Sequence, residues 1–260
     1  MLINMDNVKA VYTLEENIRI LSIIVFTLVG VFFPQLRYLS LEWGIIILIL
    51  GNNKRIPREN GKVLYFIRMT LYFTPYLLPA VLNNPIDLDV NYRVCEGIFI
   101  AVVVFGVWFF LFKKGIRLLL SDQMIAYSYK DSWFEIVMKI YSYIGAAISE
   151  ELYFRLHILS GDAPILLLIF LSVSYFFLCH YILPWRKLFT RQDHINQLTI
   201  GALNVCLFLF SDSIIPCIIL HLLINSISII RCVKQLDRHY IHPERYEKFL
   251  EESLFGEMEL

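Results

Sequence analysis

Eight apolar runs separated by short polar segments constrain this chain more than any other feature of it. They span residues 18–33, 39–50, 63–82, 94–112, 133–158, 164–183, 197–210 and 214–232, and each is continuous rather than alternating. In lipid every backbone N–H and C=O must be satisfied within its own segment, so such runs predict helices and exclude a barrel. The second and seventh are shorter than the ~20 residues that a span needs. Six spans are therefore the floor and eight the ceiling. With 58% hydrophobic and 18% charged residues, and a mean hydropathy of +0.62, the expected fold class is all-α: a polytopic membrane helix bundle of about eight transmembrane helices.

The cations fall unevenly between those runs. Lys54, Arg55, Arg58 and Lys62 fill one loop, Lys113, Lys114, Arg117 and Lys130 another, Arg186, Lys187 and Arg191 a third, and Arg231, Lys234, Arg238, Arg245 and Lys248 the C-terminal stretch. The alternate loops carry Arg37 and Arg93. With eight spans all the rich loops lie on one side, which the positive-inside rule makes cytoplasmic, together with both termini. Residues 1–17 are polar and mildly acidic, and no small-residue cleavage site follows the first apolar run, so a mature N-terminus is expected. An integral protein of the cell membrane, in contact with membrane lipid, is the corresponding localisation.

A formal net charge of zero provides no basic face for nucleic acid, and none is expected as a partner. The five cysteines lie in or at the ends of apolar runs without CxxC spacing, which suits packing rather than disulfide or zinc scaffolding. Residues 1–236 read as one transmembrane domain. Residues 118–131 mix apolar and polar side chains, as an interfacial helix or a plain connector does. Residues 237–260 place Tyr246, Phe249, Leu250 and Leu254 at helical spacing among glutamates, which predicts an acidic, amphipathic cytoplasmic tail.

Against this background the segment Ser149–Glu150–Glu151–Leu152–Tyr153–Phe154–Arg155 stands out. An ionisable residue at mid-bilayer costs about 3 kcal/mol on the insertion scale, so three within two turns of helix require a compensating role. Ser132 and Glu135 form a capping-box pattern that starts this helix. Glu151 and Arg155 are four apart and share a face, in the preferred order for an ion pair. Glu150 is turned about 100° away from Glu151 and lacks an equally good partner in its own helix. Further along, Phe176 and His180 are four apart, as are His221 and Asn225. A free carboxylate, a neutralised Glu–Arg pair, two imidazoles and an amide form a set that can activate water and stabilise an oxyanion, which is the chemistry of peptide hydrolysis.

These residues, Glu150–Glu151–Arg155 as EExxxR, Phe176–His180 as FxxxH and His221–Asn225 as HxxxN, resemble the three motifs of the CAAX protease and bacteriocin-processing family, also called Abi or CPBP. The resemblance centres on residues 132–232, and it departs at Leu156, where many members have glycine. It implies a glutamic intramembrane endopeptidase with no required cofactor or metal, acting on a small or membrane-anchored peptide or protein. Carried over, Glu150 and His180 prepare the nucleophilic water, His221 and Asn225 stabilise the tetrahedral intermediate, and Glu151, Arg155 and Phe176 orient the site.

Three other readings compete. A non-catalytic scaffold or bacteriocin-immunity protein of the same family suits members with broken motifs, whereas these are intact. A zinc site would draw on the same Glu and His residues, but Arg155 opposes a divalent cation and no HExxH occurs. A proton-coupled transporter would be expected to show paired repeats. Counting helix rise puts Glu150 about 12 Å and His221 about 10 Å from helix ends on one side, but His180 about 24 Å from it. His180 therefore joins the site only if its helix is inclined or starts late.

Overall fold

The computed structural model describes residues 5–53, 61–83, 90–126, 128, 130–182 and 190–244, and the side chains of most of them. Among these residues there is no strand. The helices are α1 (Met5–Phe32), α2 (Arg37–Asn53), α3 (Lys62–Asn83), α4 (Tyr92–Leu119), the short α5 (Asp122–Ala126), α6 (Trp133–Glu151), α7 (Ile165–Ile182), α8 (Arg191–Ser211) and α9 (Ile215–Leu236). All eight apolar runs coincide with helices as far as they are described. Leu183, several of the loop cations and the tail beyond 244 lie outside the described residues.

Three described helical stretches are long and apolar enough to cross a membrane: Tyr92–Leu119, Arg191–Ser211 and Ile215–Ile241. Asn17–Phe32 and Ile165–Tyr181 are shorter apolar helices. The chain is thus an all-helical membrane protein, and its outward faces carry the apolar side chains that lipid requires, among them Phe99, Phe110, Leu111, Leu166 and Phe170.

Local chemistry sets the helix starts. Ser132 caps α6, accepting from the backbone N–H of Glu135, whose carboxylate accepts in return from the Ser132 N–H at 2.8 Å. Thr190 and Asp193 make the same reciprocal box at α8. That second box starts α8 six residues before its apolar run, because a satisfied N-terminus lets a helix extend through polar residues. Among the described residues of 118–131 lie the end of α4 and the short α5, a connector rather than a long interfacial helix.

The packing order places the polar motifs together. α9 lies between α6 and α4, α7 packs on α8, and α3 lies along α6. An aromatic cluster ties α1, α2 and α7, with Trp43 stacked on Tyr175 at 4.2 Å and Phe26 edge-on to both. Gly145 of α6 meets Phe73 of α3 so closely that a Cβ there would lie 2.6 Å from the ring. At that level α3 and α6 come closer than a side chain on residue 145 would permit.

Candidate active site

After Glu151 the sixth helix does not continue as regular α-helix. Residues Leu152–His157 form a π-turn. One wide turn displaces carbonyls from their regular partners, and such turns recur at functional sites. Here Ser172 of α7 donates to the carbonyl of Phe154 at 2.6 Å, inside the buried interface. The turn and its compensating hydroxyl fasten α7 to the end of α6.

The Glu151–Arg155 pair lies as its spacing predicts. Arg155 Nε is 3.1 Å from Glu151 Oε2, and both side chains are fully buried. Two buried charges need further partners. Arg155 Nη2 donates to the carbonyl of Gly201 at 3.2 Å, and its guanidinium lies 4.6 Å from the centre of the Phe176 ring. Glu151 Oε1 lies 2.8 Å from His221 Nδ1. Asn204, wholly buried on α8, is a further polar neighbour of Glu151.

Glu150 faces a different set. Its Oε1 accepts from the hydroxyl of Tyr72 at 2.8 Å, and its Oε2 is 3.7 Å from His180 Nε2. His180 Nδ1 is 2.8 Å from the Phe176 carbonyl. A carbonyl has only lone pairs, so Nδ1 carries a proton, and Nε2 is the nitrogen turned toward Glu150. Likewise, an ionised Glu151 holds the proton on Nδ1 of His221 and leaves Nε2 for the site. α7 begins at Ile165, so no late start accounts for the position of His180, whose Nε2 nonetheless lies 3.7 Å from Glu150 Oε2.

Phe176 is the hub of the motif set. Its ring lies 4.6 Å from that of His180, 6.1 Å from that of His221 and 5.5 Å from that of Phe154. A Cβ on Gly201 would meet it at 3.0 Å. Asn225 sits at the edge, where its Nδ2 donates to the backbone carbonyl of Tyr143 at 2.9 Å. An amide nitrogen has two protons, so one such bond leaves the other for a ligand. His157 is not in this set. It pairs with Glu42 of α2 at 2.8 Å.

Of the residues that sequence patterns singled out, the structure joins Glu150, Glu151, Arg155, Phe176, His180 and His221 through contacts among α6, the π-turn, α7 and α9, whereas Asn225 bonds the Tyr143 carbonyl about two turns before Glu150. The patterns did not locate Tyr72, Gly201, Asn204 or Ser172. Those four act through contacts between elements far apart in the chain, for which no local spacing is diagnostic. Among the described residues no three His, Cys, Asp or Glu side chains converge as metal ligands do. A cavity of about 560 Å³ lies between α4, α8 and α9, lined by Trp108, Phe112, Lys113, Ile200, Ile224 and Asn225 among others.

No curated protein and no solved structure matches the chain. The family model described as type II CAAX prenyl endopeptidase Rce1-like matches residues 131–227, a stretch that opens one residue before the Ser132 cap and closes two after Asn225. That stretch holds the charged pair, both imidazoles and the amide described above, and over it the chain is similar to the type II CAAX prenyl endopeptidases of the Rce1-like family model.

Proposed function

We propose that this protein is an intramembrane endopeptidase in which Glu150 and His180 activate a water that attacks a peptide bond. The observation that carries this reading is the pairing of Glu150 Oε2 with His180 Nε2, 3.7 Å apart in a buried setting. With the proton of His180 on Nδ1, both atoms are acceptors and have no bond to make with each other. One water donating a hydrogen to each would bridge them, and its oxygen would become more nucleophilic as either accepts a proton.

Attack converts the substrate carbonyl to an oxyanion. An Nε2–H of His221, whose Nδ1 is held by Glu151, and the second N–H of Asn225 would donate to it, while Glu151 and Arg155 hold His221 and Phe176 in place. Proton return from Glu150 or His180 to the amide nitrogen then releases the amine product.

The substrate class follows the family: a peptide or protein tail anchored to the membrane, as a prenylated cysteine is. The cavity between α4, α8 and α9 supports access from the cytoplasmic side, because its lining runs from Lys113, in the cation-rich last turns of α4 assigned to that side, to Asn225. Eight spans over residues 1–236, both termini cytoplasmic, an acidic tail at 237–260 and residence in the cell membrane complete the proposal.

The test is Glu150→Gln in full-length protein reconstituted into liposomes, assayed with a fluorescence-quenched peptide carrying a farnesylated cysteine. Removing a general base is expected to lower turnover by about 10²–10⁴-fold at unchanged protein level. Turnover that survives the substitution would refute the glutamate mechanism, and loss of wild-type turnover to a chelator would point to a metal instead.

A further inference from the structure

The hydroxyl that holds Glu150 comes from a part of the chain outside the family match. Tyr72 is on α3, whereas the match begins at residue 131. A carboxylate oxygen without a proton can only accept, so the 2.8 Å bond is a donation from Tyr72 to Oε1. Neighbouring contacts fix α3 at this height. Phe73 is seated on Gly145, Thr70 Oγ1 lies 3.2 Å from the hydroxyl of Tyr141, and Tyr76 donates to Cys179 Sγ at 3.3 Å. The third helix thus braces α6, which carries Glu150, against α7, which carries His180.

We infer that Tyr72 is a positioning residue for hydrolysis: its O–H occupies Oε1 of Glu150 and thereby turns Oε2 toward His180 Nε2. This inference rests on the proposed role of Glu150. The physical reason is that rotation about the last bond of a glutamate is broad and weakly restrained. Among the described residues no hydrogen-bond donor reaches Oε2, so the bond at Oε1 sets the plane of the carboxylate. Without it the group can rotate, and the distance from Oε2 to His180 is no longer held.

Tyr72→Phe keeps the ring and deletes only the hydroxyl. In the same liposome assay with the farnesylated peptide, kcat is expected to fall by about 10–100-fold, the penalty of a misplaced catalytic group, with KM within twofold. Tyr65→Phe, which removes a hydroxyl of the same helix about two turns from Tyr72, should stay within about threefold of wild type; a packing effect would move both alike. In a Glu150→Gln background, Tyr72→Phe should cost nothing further. A Tyr72→Phe enzyme with wild-type kcat, a loss shared equally by Tyr65→Phe, a loss that adds in full to that of Glu150→Gln, or a variant that no longer folds would each overturn the inference. A fully active Glu150→Gln would instead remove the hydrolase reading beneath it, so the two failures are distinguishable.

Discussion

His221 Nδ1 lies 2.8 Å from Glu151 Oε1 where α9 crosses α6. Through that bond the last motif is fixed to the first, and Arg155, on the other oxygen of the same carboxylate, carries the connection to Gly201 and Phe176. Glu151, Arg155, Phe176 and His221 form one connected, buried unit, and disturbing one member should be felt by the rest.

Arg155→Leu leaves the Glu151 carboxylate buried without its guanidinium. Breaking a buried ion pair from one side costs about 3–5 kcal/mol, so the thermal midpoint of detergent-purified protein should drop by many degrees. The double variant Glu151→Gln with Arg155→Leu should recover part of that loss, since no uncompensated charge remains. An Arg155→Leu midpoint equal to wild type would show that the pair is not buried as described.

Ser172→Ala removes the donor that serves the Phe154 carbonyl in the π-turn. An unsatisfied buried acceptor costs about 1–3 kcal/mol. The expected result is a lowered unfolding temperature together with slower peptide cleavage, because the same turn sets Arg155. Stability and rate both unchanged would mean that the π-turn needs no support from α7.

Gly145→Ala places a methyl group 2.6 Å from the Phe73 ring, which is itself buried. Alanine favours helix over glycine by about 1 kcal/mol, but overpacking of this kind costs about 1–3 kcal/mol, so the balance is a loss of stability. The more telling readout is kcat. Separation of α3 from α6 should slow turnover in the way that deletion of the Tyr72 hydroxyl does, and a faster or equal enzyme would contradict the close contact.

His157→Ala and His180→Ala separate the histidine that pairs with Glu42 from the one that faces Glu150. His157 pairs with Glu42, away from Glu150, so its removal should leave kcat within a few-fold of wild type. Loss of His180 should lower kcat by about 10²-fold or more. The reverse ranking, measured in the liposome assay, would place the working imidazole at the wrong end of the helix pair.

The apolar runs required helices, and all eight runs are helical wherever they are described. Spacing of four put Glu151 with Arg155 and Phe176 with His180, and the Ser132–Glu135 pattern marked the start of α6, because these relationships depend only on helical geometry within one segment. Tyr72 against Glu150, Gly201 beneath Phe176, Ser172 on the π-turn and the approach of His180 to Glu150 depend on how one helix lies on another. A helix offers the same residues to every neighbour that it could have. Which of them meet is settled by close packing between elements, at places such as Gly145 and Gly201 where the absence of a side chain lets two surfaces touch.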